Sequence, residues 1–209
     1  YFDFIRECES EDIPTVNGDL QHHASGCYSA NSKIKKLNRE AENELIYAEK
    51  IDVLSSVLTK SAPKSAEIEK AWERVMFNQF HDILAGCSIK PAYDDAYAGF
   101  GYAKEIATEV GTFAAERISW RVNTTKYFDS EPSGIRGRLW IRNGEGAPMV
   151  VFNPHSFPVR GTASFGEHWV SGVVDEDSND VEFQMIRAPY TDGPSVKRCL
   201  FNVEIPAYG

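Results

Sequence analysis

The sequence predicts an α+β chain of more than one domain, an antiparallel three-helix bundle followed by part of an antiparallel β-sandwich. Three observations predict it. Between residues 31 and 121, apolar side chains recur in steps of three and four, which lays them along one face of a helix. After Asn123 that period is lost, and short apolar runs alternate with Gly and Pro turn signals, the pattern of strands in a sandwich. Residues 1–30 show neither pattern and read as a connecting arm, with Pro14, Gly18 and Gly26 breaking any period.

The first helix is predicted from Ile34, Leu37, Ala41, Leu45, Ala48, Ile51, Leu54 and Leu58. They form one stripe about eight turns long. Asn31 or Ser32 can cap its start, and Pro63 ends the connection that follows. A second helix fits Ser65 to about His81. Ile68, Trp72, Val75 and Gln79 share its face, with Ala71 and Met76 beside it and Gly86 as terminator. Pro91 then stands where a first helical residue belongs. The third helix turns Ala96, Phe100, Ala103, Ala107, Val110, Ala114 and Ile118 inward. Gly99, Gly101 and Gly111 each weaken it by up to about 1 kcal/mol relative to Ala, unless their missing side chains let helices approach. Strand-length runs follow at 139–141, 149–152, 162–165, 169–174, 181–186 and 199–205. The expected division is an arm at 1–30, a bundle at 31–122 and the first part of a β-domain at 123–209.

The 209 residues carry a formal net charge of −9. An acidic surface repels phosphate, so nucleic acid and anionic membrane are poor partners. No apolar run is long enough to span a bilayer. Cys8, Cys27, Cys87 and Cys199 lie far apart with no CxxC pair, which reads as free thiols of a reducing, cytoplasmic compartment. A start at Tyr1 and an end straight after the run 201–206 read as a piece cut from a longer chain.

The densest chemistry lies at residues 72–86, where an amphipathic helix runs into Asn78, Gln79, His81 and Asp82 before Gly86. His81 could ligate a metal through a ring nitrogen, with Asp82 as a second ligand or a hydrogen-bond acceptor. By spacing alone the plainer reading stands beside it: His⁺ suits a helix C-terminus, and a zinc site needs about three or four protein ligands. The adjacent His22 and His23 fall on the irregular arm and read as surface or packing residues, and His155 and His168 as structural ones. Asp94-Asp95 fits the start of the third helix, and Asp175-Glu176-Asp177 a turn between strands. Neither makes a catalytic carboxylate pair. There is no GxGxxG, P-loop, GxSxG or HExxH.

Four segments in order carry a family resemblance. Residues 78–89, Asn-Gln-Phe-His-Asp-Ile-Leu-Ala-Gly-Cys-Ser-Ile, resemble a signature of glycoside hydrolase family 38, the class II α-mannosidases. Residues 18–23 with 26–29 look like the segment leaving that family's catalytic domain. Lys35-Lys36-Leu37-Asn38-Arg39 continues the match, and residues 150–158 resemble the opening of its C-terminal β-domain. Asp19 stands where the family often has Glu, and Ala85 where it often has Pro. The resemblance implies a preceding (β/α) catalytic domain, missing here, then a three-helix bundle and β-sandwich domains. It also implies a zinc-dependent retaining enzyme acting on mannose-containing glycans or mannosides. It casts His81 as a zinc ligand and Asp82 as a hydrogen-bond partner of the sugar. The nucleophile, the general acid and the other ligands would lie in the missing domain, so no catalytic residue is expected here and the chain alone should be inactive. The competing expectation is a non-catalytic module that binds a glycan or a protein.

Overall fold

The computed structural model describes residues 1–7, 15–20, 22–124, 148–167, 170–188 and 197–209. In chain order they form α1 (Phe2–Glu7), a 3₁₀ segment (His22–Tyr28), α2 (Ser32–Thr59), α3 (Ser65–Asn78), α4 (His81–Leu84), α5 (Lys90–Ser119), β1 (Val159–Glu167), β2 (Phe183–Arg187) and β3 (Lys197–Ile205). The expected run at 139–141 and His168 lie outside the described residues.

Helices α2, α3 and α5 form the bundle. Ile34, Leu45, Val75 and Phe100 fill its centre, and Ala41, Ala48, Ala71, Ala96, Ala103, Ala107 and Ala114 line the helix contacts. Small side chains let the helix axes come close. Two of the three helix glycines serve the same end. A Cβ on Gly99 would lie 2.7 Å from Asn78 Nδ2, and one on Gly111 3.1 Å from the Tyr47 ring, whereas one on Gly101 would meet nothing. Close packing therefore explains Gly99 and Gly111 and leaves Gly101 without a role in the structure.

Three details depart from the periodic reading. Leu58 is exposed, and the last turns of α2 instead bury Asp52 and Ser55. Asp52 Oδ2 accepts the Lys64 N–H at 2.7 Å, satisfying a backbone donor that the start of α3 leaves without a helical partner. Asn31 precedes α2 in the left-handed region (φ 47°) and makes no capping bond; its Oδ1 accepts from the Tyr97 hydroxyl at 3.2 Å. Helix α3 stops at Asn78, short of His81, because Phe80 is extended (φ −52°, ψ 139°).

The strands form one antiparallel sheet in the order β1-β3-β2. Phe201 pairs with Ala163 on one side and Phe183 on the other, and Cys199 with Phe165 and Met185. Cys199 and Phe201 with Val173 make a small core, against which Ala163, Phe165, Phe183 and Met185 lie half-buried. The expected strands at 162–165, 181–186 and 199–205 fall in or largely in β1, β2 and β3. Residues 149–152 are irregular; Trp169 lies outside the described residues, and of 170–174 only Val174 forms a β-bridge, with Asp180. Residues 149–152 stay out of the sheet because Asn153 pins the chain beside them. Asn153 is 3% exposed. Its amide donates to the carbonyls of Phe157 and Pro206, each at 2.8 Å, and its Oδ1 accepts the His155 N–H at 3.0 Å. Lys50 Nζ donates to His155 Nδ1 at 3.1 Å, tying α2 to this segment.

Cys27, Cys87 and Cys199 are free thiols, and Cys8 lies outside the described residues. Among the described residues, no helix is long and apolar enough to cross a membrane.

Candidate functional site at the α3–α4 break

The end of α3 divides its polar residues between inside and outside. Asn78 is buried and donates to the Arg74 carbonyl at 2.8 Å. The Gln79 amide donates to Glu42 Oε1 at 2.8 Å and to Asn38 Oδ1 at 3.2 Å, both on α2. Gln79 fastens the helix end to α2, while the Asn78 bond stays within α3. The extended Phe80 then turns the chain outward, and α4 begins.

His81 and Asp82 open α4 and face solvent. Their side chains are 79% and 57% exposed, with His81 Nε2 3.5 Å from Asp82 Oδ1. The Phe80 ring lies 4.2 Å from the His81 ring. His81 thus starts a new helical turn rather than ending α3, and the argument from a helix C-terminus does not apply to it. On the flanking segments Met76, Phe77, Phe80 and Ile89 are all more than half exposed, whereas Ile83 packs against the bundle core. Tyr28 and Leu20 on the arm are exposed as well.

The turn's far end is held by side chains that periodicity does not mark. Lys35 Nζ donates to the Leu84 carbonyl at 2.7 Å and the Ala30 carbonyl at 2.6 Å. The buried Tyr93 hydroxyl accepts the Ser88 N–H at 3.1 Å and donates to the Ile83 carbonyl at 3.3 Å. Gly86 sits at φ +87°, the left-handed conformation that favours glycine; it follows α4 rather than terminating the second helix, which already ends at Asn78. A helix face predicts burial and not hydrogen-bond partners, and the Lys35–Leu84 bond joins residues 49 positions apart, so periodicity did not announce these anchors.

Among the described residues, no three His, Cys, Asp or Glu side chains converge in a metal-binding group. His81 and Asp82 offer two donors where a zinc site takes about four. By themselves they do not make a complete zinc centre. His22 and His23 are exposed on the 3₁₀ segment, with His22 Nδ1 3.2 Å from the Asp19 carbonyl. Asp94 pairs with Lys90. Asp175 folds its own turn, accepting the N–H groups of Asp177 and Asn179 at 2.9 Å. The hydrogen bond from the Asn179 side chain holds the Asp175 carboxyl below its ordinary range.

Residues 22–118 match the family model described as alpha mannosidase middle domain. The match covers 97 of the 209 residues, a little under half of the chain. The chain is 36% identical over 98 residues to an alpha-mannosidase of Saccharomyces cerevisiae, covering 44% of this chain and 9% of that protein. It is 34% identical over 96 residues to alpha-mannosidase 2C1 of Homo sapiens, covering 43% and 9%. The chain thus spans about a tenth of the length of these relatives. Two solved structures share its fold, each with a TM-score of 0.60. One is an alpha-mannosidase from Enterococcus faecalis V583, at 15% identity over 99% of this chain and 26% of that one. The other is a protein in glycosyl hydrolase family 38 from Enterococcus faecalis, at 16% identity over 100% and 26%. The resemblance carried by residues 78–89 and 35–39 falls inside this match. The site turn, 81–84, lies inside the matched middle domain.

Proposed function

We propose that this middle domain and its sheet belong to a zinc-dependent retaining α-mannosidase that removes terminal α-mannosyl residues. In that reading His81 gives zinc one ring nitrogen and Asp82 hydrogen-bonds the sugar at the point of cleavage. The ion's part is to hold sugar hydroxyls. Retention needs two carboxyl groups roughly 5 Å apart across the glycosidic bond, and these fall to a catalytic domain preceding this chain, without which the chain is inactive. The four dispersed cysteines favour a cytoplasmic enzyme. The observation that carries the reading is the His81–Asp82 pair, solvent-facing on its own turn with the Phe80 ring against His81 and exposed Phe77 and Ile89 on the adjoining segments. Paired donors on an apolar rim suit a site closed by a second domain.

Mannoside hydrolysis and zinc content of the full-length chain test it. His81→Ala should lose zinc and turnover together. Asp82→Ala should keep zinc and lower kcat/KM about 10- to 100-fold, the loss of one hydrogen bond to a charged group. Wild-type zinc and rate in His81→Ala would remove the site assignment. Tight glycan binding without any hydrolysis by the full-length chain would favour a binding module instead.

A further inference from the structure

Helix α4 buries none of its four residues. Of its side chains only Ile83 packs against the bundle core, so the far end of the turn rests largely on polar anchors. Two consecutive carbonyls at its end, Ile83 and Leu84, receive donors from two different helices: Tyr93 of α5 and Lys35 of α2. The Tyr93 bond is neutral and 3.3 Å long. The Lys35 bond is 2.7 Å long and charge-assisted, a class roughly twice as strong. An ammonium at the carbonyl end of a helical turn also meets the negative end of the backbone dipoles.

Lys35 does more than cap the turn. Its Nζ also holds the Ala30 carbonyl at 2.6 Å, and Gly86 leans on that same group. A Cβ at Gly86 would stand 2.4 Å from the Ala30 oxygen. One ammonium therefore joins the start of α2, the chain entering the bundle, and the turn that bears the site. Among the described residues no carboxylate lies within ion-pair distance of Lys35, so its charge is spent on these two carbonyls.

We propose that Lys35 is a positioning residue for the His81–Asp82 pair, acting through the Leu84 carbonyl. This rests on the function proposed above. Removing the ammonium frees the end of α4, and both site side chains lose their fixed bearing while the bundle core is untouched. An arginine can reach two carbonyls from the same place, whereas methionine keeps the bulk and loses every donor.

The test compares Lys35→Met, Lys35→Arg and His81→Ala in the full-length chain, reading zinc content, kcat/KM on p-nitrophenyl α-mannoside, and Tm. Lys35→Met should keep its Tm and lose about 10- to 100-fold in kcat/KM or zinc affinity, as supporting residues of metal sites do. Lys35→Arg should recover most of that loss. Wild-type kinetics and zinc affinity in Lys35→Met, with His81→Ala inactive, would overturn this inference and leave the proposed function standing. Equal losses in Lys35→Met and Lys35→Arg with a lowered Tm would also overturn it, showing a general structural role. Wild-type behaviour of His81→Ala would instead sink the underlying reading.

Discussion

The helical bundle and the three-stranded sheet solve the same problem to different extents. The bundle closes on itself: three helices surround Phe100, Ile34, Leu45 and Val75, and their small residues bring the backbones together. The sheet has one small core, Val173, Cys199 and Phe201, with most of its other apolar side chains half-buried. A sandwich buries its inner face against a second sheet, and the described residues supply one sheet. The bundle is thus held by apolar packing, and the sheet leans on the polar hub of Asn153. The difference bears on function, because the site turn is mounted on the part whose core is complete.

The largest expected effect breaks the bundle. Phe100→Ala leaves a cavity among three helices and should cost about 3–5 kcal/mol, a large share of the stability of a single domain. Far-UV circular dichroism would show an early loss of helix on heating. Labelling of the buried Cys199 thiol, in a background with the other cysteines replaced by serine, should change less at temperatures below that melt. If Cys199 labelling rises in step with helix loss throughout, the two regions are one cooperative unit and the contrast falls.

The reverse experiment is smaller. Asn153→Ala strips the carbonyls of Phe157 and Pro206 of their donor and should cost about 1–3 kcal/mol. Cys199 should become reactive while the helix melt stays within a few degrees of wild type. A helix melt lowered as far as by Phe100→Ala would show that the Lys50–His155 bond couples the regions tightly.

The smallest effect is electrostatic and sharpens the contrast from the surface of the bundle. The hydrogen bond from Lys104 holds the Glu40 carboxyl below its ordinary 4.5, and the same bond raises the Lys104 ammonium above 10.5. The lowered carboxyl adds stability above pH 4.5 that is lost as pH falls through its folded value. The raised ammonium adds stability below pH 10.5 that is lost as pH climbs through its folded value. Glu40→Gln should flatten the acid side of the helix Tm–pH curve slightly, since Glu44 still faces Lys104 at 3.3 Å. An unchanged curve would mean that solvent screens the pair completely.

The residues themselves determined a good deal. The step of three and four placed the buried faces of α2, α3 and α5, because a helix turns every 3.6 residues and burial follows that turn. Phe100, Ala103 and Ala107 were inward for that reason alone. The motif at 78–89 marked the site turn through family resemblance, not through spacing. Tertiary structure decided the rest. Periodicity carried α3 on toward His81, but Gln79 is drawn to Asn38 and Glu42 and Lys35 holds Leu84, so the chain breaks at Phe80 and presents His81 and Asp82 on a turn of their own. Asp52 went inside and Leu58 outside because a backbone N–H at the start of α3 needed an acceptor. The sequence pattern registers which face of an element is apolar; it carries no record of hydrogen bonds between residues 37 to 49 positions apart, and such bonds hold the end of α3 and the turn after it.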